Sequence, residues 1–203
     1  MALTRRTLLA AGTAVGLAHP AFAITPSSAP AASGPPRELL RRALAALDRH
    51  SSQITGRDLI AIADFSQPSR LPRFHLVETA TGRISSHLVA HGRGSDPGHT
   101  GWLERFSNAD GSNASCSGAF RTDDFYVGKH GRSIRLTGLD ASNSNALARG
   151  IVVHSAWYVS QEMARTHGVL GRSEGCFALD EASLKQAMAR LGPGHMIYAD
   201  KIA

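Results

Sequence analysis

The chain has 203 residues, 42% of them hydrophobic, with 22 basic and 16 acidic side chains and two cysteines. Its formal charge of +6 is only mildly basic, and no basic run is interleaved with aromatics, so nucleic-acid binding is excluded as a reading and an anionic partner of another kind is favoured. The length suffices for one domain with a real core, and no apolar run is long enough to span a bilayer comfortably.

Residues 1–23 read as an export signal. Arg5 and Arg6 form a positive start, residues 8–18 are apolar but short, and Ala21-Phe22-Ala23 is a small-x-small cleavage site. The paired arginines followed by Thr7-Leu8-Leu9 match a twin-arginine signal, which exports folded proteins. The mature chain is then expected in the periplasm or cell envelope, with no stable membrane anchor after cleavage. It would keep 20 basic against 16 acidic residues, a charge of +4. Residues 24–36, "ITPSSAPAASGPP", form a Pro/Ser/Ala-rich linker. Residues 37–203 are left for the folded domain.

In "RELLRRALAALDRH" the spacing of Leu40, Leu44 and Leu47 predicts a helix with those leucines on its packed face, and Pro36 suits its first turn. "LIAIADF" predicts a short buried strand. "RFHLVETATGRISSHLVAHG" predicts two strands joined by a hairpin turn at Thr79-Ala80-Thr81-Gly82. The stretch from Gly92 to Phe120 is dense in Gly, Ser, Asn and Asp and reads as a long loop, irregular but ordered or functional. "SIRLTGL" and "IVVHSAWYV" predict further strands. "DEASLKQAMARL" predicts a helix capped by Asp180, with Leu184, Met188 and Leu191 on the core, and "HMIYAD" closes the chain as a strand. The sum is a mainly β domain with a few peripheral helices.

Two segments could carry chemistry. Cys176 in "GRSEGCFAL" follows Gly175, which lets backbone approach a substrate closely, and the N–H groups around the pair could form an oxyanion hole. A cysteine attacks as its thiolate and needs a base or a positive charge nearby. His154, at the end of the apolar run "IVVHS", is the best base, held by a rigid element. Read from the residues alone, Cys176 is equally well explained as half of a disulfide with Cys116, since two cysteines in an exported chain often pair. Taken alone and on spacing, His154 is better explained as a hydrogen-bonded, half-buried histidine. His91, His99, His130, His154, His167 and His195 are scattered without metal-ligand spacing, so no metal is expected. "HGRGSD", from His91 to Asp96, reads as a turn that could line a substrate cleft.

"IVVHSAWYVS" followed by "GRSEGCFAL" resembles the L,D-transpeptidase catalytic domain, the YkuD-like fold, and most of all its murein L,D-transpeptidase branch. "LIAIADFSQPSRLPRFHLVETATG", "VAHGRGSD", "RFSN" and "YVGKHGRSIRLTGLD" resemble the same branch in the same order, so the likeness covers nearly all of residues 55–200. It implies a β-sandwich-like domain of mixed sheets. It implies Cys176 as nucleophile, His154 as its base, the Ser155 carbonyl as orienter of the ring, and Gly175 with Cys176 as oxyanion donors. Ser173 and Arg172 are the substrate-binding candidates.

The implied substrate is the tetrapeptide stem of peptidoglycan. Loss of its terminal D-Ala would leave a thioester, which an amine of a second stem resolves to a 3→3 cross-link. Water as acceptor would make the protein an L,D-carboxypeptidase, and a Cys116–Cys176 disulfide would make it a non-catalytic wall-binding module. A monomer is expected. Two departures from the common motif stand out: Glu174 occupies a usual histidine position, and Ala178 a position often held by arginine or asparagine. The interval from His154 to Ser173 is also longer than usual. Arg172 could replace the missing arginine.

Overall fold

The computed structural model describes residues 34–202. The segments expected to be an export signal and most of the expected linker lie outside them. The elements in chain order are α1 (Arg37–Arg49), β1 (Leu59–Asp64), β2 (Phe74–Glu78), β3 (Ile84–His87), a 3-10 turn (Arg93–Ser95), β4 (Gly118–Gly128), β5 (Gly131–Gly138), β6 (Val152–Ser155), α2 (Gln161–His167), β7 (Phe177–Leu179), α3 (Glu181–Arg190) and β8 (Met196–Asp200).

All eight strands join in one mixed sheet of order β3-β2-β1-β8-β4-β5-β6-β7. β1 with β8 and β6 with β7 are parallel, and the other neighbours are antiparallel. The chain leaving the edge strand β3 crosses to the opposite edge, where Ala90 bridges Ala178 and Gly92 bridges Ser173. The sheet therefore bends round on itself, as a fold of this class requires, with its main core inside.

Period-two alternation sorts the strand residues between two cores. Leu59, Ala61 and Ala63 of β1, Ile197 and Ala199 of β8, Phe120, Val153 and Phe177 all point into the main core, which α3 closes with Leu184, Ala187 and Leu191. Ile60 and Ile62, Met196 and Tyr198, and Ala119 point the other way, onto α1. β1 is buried along its whole length because both of its faces are covered.

Helix α1 stands where expected, but its packed face is Leu39, Ala43, Ala46 and Leu47, and Leu44 is exposed. The helix is rotated from the Leu40–Leu44–Leu47 stripe because the two alanines let it lie close on the sheet. Asp180 caps α3 as expected, accepting from the Ser183 N–H at 2.9 Å. Three elements were not foreseen: β4, α2 and the three-residue β7. β4 runs from inside the expected loop to Gly128 and joins β8 to β5. α2 is capped by Ser160, whose hydroxyl accepts from the Met163 N–H.

Candidate functional site

β6 and β7 set the geometry. Their parallel register pairs Val153 with Phe177 and His154 with Ala178. Val153 and Phe177 point into the core. By alternation His154 and Cys176 share the opposite face, on neighbouring strands. They line one cleft of about 580 Å³, together with Ser173, Glu174, Arg172, Arg149, Tyr158, and Tyr126, Lys129 and His130 of the β4–β5 hairpin.

His154 is only 2% exposed. Its Nδ1 lies 2.8 Å from the Ser155 carbonyl oxygen. A carbonyl only accepts, so Nδ1 carries the proton and Nε2 is left with its lone pair. The His130 ring stacks on it, centroids 4.2 Å apart. Burial lowers the His154 pKa, the Ser155 carbonyl works against that, and His130 and Lys129 add to the lowering.

The Cys176 thiol is partly exposed and donates to the Gly150 carbonyl at 3.6 Å. Burial raises its pKa, against the Val152 N–H and the charges of Lys129 and Arg149. The resting pair is therefore a neutral thiol beside a neutral imidazole.

The loop ahead of Cys176 is tied down by its own atoms. Ser173 Oγ donates to the Cys176 carbonyl at 2.7 Å and accepts from the Gly175 N–H at 3.1 Å. The Gly175 N–H, an expected oxyanion donor, is thus engaged at rest. Gly175 has φ of 116°, and a Cβ there would lie 2.7 Å from the Ala114 carbonyl oxygen, so no other residue fits without strain. Glu174 pairs with Arg93 at 3.0 Å on the exposed rim. Arg172 Nη1 donates to the carbonyls of Asp96 and Pro97.

Behind this loop lies a buried polar chain that sequence reading did not detect. The Arg73 guanidinium, fully buried, donates to the carbonyls of Val89 and Gln67 and to His91 Nδ1 at 2.7 Å. Nδ1 is then an acceptor, so His91 Nε2 carries the proton that faces Asp96 Oδ2 at 3.3 Å. Asp96 also accepts from the N–H groups of Thr100 and Gly101, each at 2.8 Å. Burial pushes the Arg73 pKa down to about 9 and the His91 pKa down to about 3. The chain holds the loop from behind: the Ser173 N–H donates to the His91 carbonyl at 2.9 Å, and the Arg93 N–H donates to the Ser173 carbonyl at 2.8 Å. "HGRGSD" thus backs the Cys176 loop, and none of its residues lines the cleft.

Cys116 and Cys176 are both free thiols. Cys116 is buried and sits 2.8 Å from Arg149 Nη1. The structure therefore holds the two thiols unpaired, with the Arg149 guanidinium as the polar neighbour of Cys116. Of the residues singled out in the sequence, Cys176, His154, Ser173 and Arg172 line this cleft; Ser155 meets the His154 ring through its carbonyl and Gly175 sits in the loop before Cys176, and neither lines it. Arg149, Lys129, Tyr126 and Tyr158 were missed. Their only common signal is position near strand ends, which many residues share.

A search among curated proteins gave no match. Among solved structures, an L,D-transpeptidase from Mycobacterium smegmatis is 13% identical, with TM-score 0.43, covering 70% of this chain and 58% of that one. L,D-transpeptidase 1 of Mycobacterium tuberculosis is 15% identical, TM-score 0.40, covering 70% and 60%. An L,D-transpeptidase from Xylanimonas cellulosilytica is 15% identical, TM-score 0.42, covering 77% and 68%. The chain spans less than two thirds of the length of both mycobacterial proteins. The family model for the L,D-transpeptidase catalytic domain matches residues 32–199, nearly the whole described chain with its His154 and Cys176 segments, and the protein belongs to that family.

Proposed function

We propose that the protein is an exported cysteine acyltransferase that acts on peptidoglycan tetrapeptide stems in the periplasm or cell envelope, as a monomer without a membrane anchor once its leader is removed. One observation carries the reading: the Ser155 carbonyl fixes His154 with its basic Nε2 free, on the strand beside Cys176 and facing the same cleft.

The Cys176 thiol leaves the Gly150 carbonyl and gives its proton to His154 Nε2 as sulfur attacks the carbonyl at the L-centre of the stem's third residue. The Cys176 N–H stabilises the oxyanion, and the Gly175 N–H joins it if Ser173 Oγ gives way. Collapse returns the proton from His154 to the leaving amine. D-Ala departs and a thioester remains on Cys176. An amine of a second stem then attacks the thioester, loses a proton to His154, and forms the 3→3 cross-link with the thiol restored. No step calls for a metal or an organic cofactor.

Peptide mapping after brief mixing with a tetrapeptide-stem muropeptide tests this directly. The expected result is an acyl adduct on Cys176 that is absent in Cys176→Ala, whose turnover falls by at least about a thousandfold while its fold is kept. Full activity in Cys176→Ala would overturn the reading. Adding a second stem separates the acceptors: a cross-linked dimer supports transfer, and a bare tripeptide alone supports the L,D-carboxypeptidase.

A further inference from the structure

An enzyme that removes a terminal residue must distinguish a free carboxylate from a continuing chain. That carboxylate carbon lies three bonds beyond the scissile carbonyl carbon, within roughly 4 Å of it by standard bond lengths. The recognising cation therefore has to stand beside the nucleophile, and it has to be held still.

Three cations line the cleft, and a fourth, Arg93, stands outside it. Arg93 is paired with Glu174 on the rim. Lys129 sits exposed at the turn of the β4–β5 hairpin. Arg172 reaches away from Cys176, to the Asp96 and Pro97 carbonyls. Arg149 differs from all three. It directly precedes Gly150, whose carbonyl accepts from the Cys176 thiol. Its Nη2 lies 3.1 Å from where a Cβ on Gly175 would stand, against the peptide that carries Cys176.

Its tethers are all neutral. Nη1 donates to the Ser107 carbonyl at 2.8 Å and touches Cys116 Sγ, and Nη2 donates to the Ala114 carbonyl at 2.6 Å. Among the described residues no carboxylate lies within ion-pair distance of it. These bonds use three of the five N–H groups of the guanidinium, so an oriented positive charge and two donors are left over. A fixed, unneutralised guanidinium at the wall of a cleft is a carboxylate receptor.

We infer that Arg149 receives the terminal carboxylate of the donor stem and so restricts the protein to stems that end one residue past the bond it breaks. The inference rests on the proposed function. It moves substrate anchoring from Arg172 to Arg149. It also gives the long Gly92–Phe120 segment a purpose, because Ser107, Ala114 and Cys116 in that segment are what hold the guanidinium in place.

Binding without turnover tests it. In a Cys176→Ala background, calorimetry compares a tetrapeptide stem bearing a free C-terminal carboxylate with the same stem as its C-terminal amide. The carboxylate form should bind about 10- to 100-fold tighter, the range of a charge-assisted hydrogen bond. Adding Arg149→Gln should erase that preference and leave the affinity for the amide within about threefold. A preference that survives Arg149→Gln, or an equal loss for both stems, overturns the inference while donor binding itself stands. Should the Gln variant fail to fold, Arg149→Lys decides, because it keeps a cation but loses the fork. The carboxylate preference should then fall by at least about threefold with amide affinity kept, and an unchanged preference overturns the inference. If neither stem binds the Cys176→Ala parent, the stem-peptide reading fails and the role of Arg149 fails with it.

Discussion

The protonation of the Cys176–His154 pair sets how the protein should respond to pH. Burial raises the thiol and lowers the imidazole, so both are neutral near pH 7 and the proton moves only as attack begins. The proposed mechanism needs neutral His154, so activity should be lost as pH falls through its lowered pKa and the acid limb of kcat/KM should have its midpoint below 6.5. Iodoacetamide alkylation of Cys176 should be slow at pH 5–8 and climb only towards and beyond pH 9, the ordinary thiol value that burial shifts upward. A flat, fast plateau of alkylation from pH 5 upward would reveal a thiolate–imidazolium pair and contradict this reading. At this scale the sequence brings forward His154 and Cys176, which the structure places on one cleft. A histidine closing an apolar run and a cysteine after glycine carry local signatures, whereas Arg149 carries none. Its importance comes from contacts with residues 107, 114 and 116, more than thirty positions away, which a pattern search does not see.

The short strand β7 has only three residues, yet it carries the residue after Cys176 into the middle of the core. The Phe177 ring meets Phe120 edge-on at 5.3 Å, stacks with Phe65 at 6.2 Å and tilts against Phe74 at 6.4 Å. This cluster is the anchor that fixes where Cys176 emerges. Phe177→Ala should cost about 3–5 kcal/mol, read from the midpoint of urea unfolding. A loss below about 1 kcal/mol would mean that the loop ties alone hold the site. The elements that were legible are those whose apolar residues repeat at a helical spacing or run together between turn residues: α3, the β2–β3 hairpin and the strands β1, β5, β6 and β8. β4 was hidden because only its first half is buried. Beyond Thr122 it runs into the exposed hairpin, with Asp123 and Asp124 at a bulge, and the alternation that marks a strand disappears. In α1 the period was right and the phase wrong, since alanine gives a weak hydrophobic signal but permits the closest contact.

Across the whole molecule, buried neutral histidines make the fold sensitive to acid. Burial lowers the His75 pKa to about 4 and the His91 pKa to about 3, against 6.5 in an unfolded chain. Between those values the unfolded chain binds protons that the folded one refuses. Stability is therefore full above pH 6.5 and is lost as pH falls towards 4, by up to about 1.4 kcal/mol per pH unit for each histidine. Urea midpoints at pH 7, 6, 5 and 4 should show this slope, and His75→Gln should flatten it. An unchanged slope would assign the acid sensitivity to the carboxylates instead. The class of the fold was legible from the balance of short strands and few helices. The joining of its two edges through residues 88–93 was not, because isolated bridges leave no period in a sequence.

The parallel pairing of β6 with β7 has one more consequence. The register of that ladder, and not the length of chain between the strands, decides how far His154 stands from Cys176. The intervening crossover, with α2 in it, packs as its own small cluster of Val159, Ala164 and Leu170 against Leu88, Ala90 and Ala178. Residues can therefore be gained or lost there while His154 and Cys176 keep their places on the ladder. Sequence distance in this region is an unreliable ruler, and the crossover is a segment in which new surface features can be tried without disturbing the chemistry beside it.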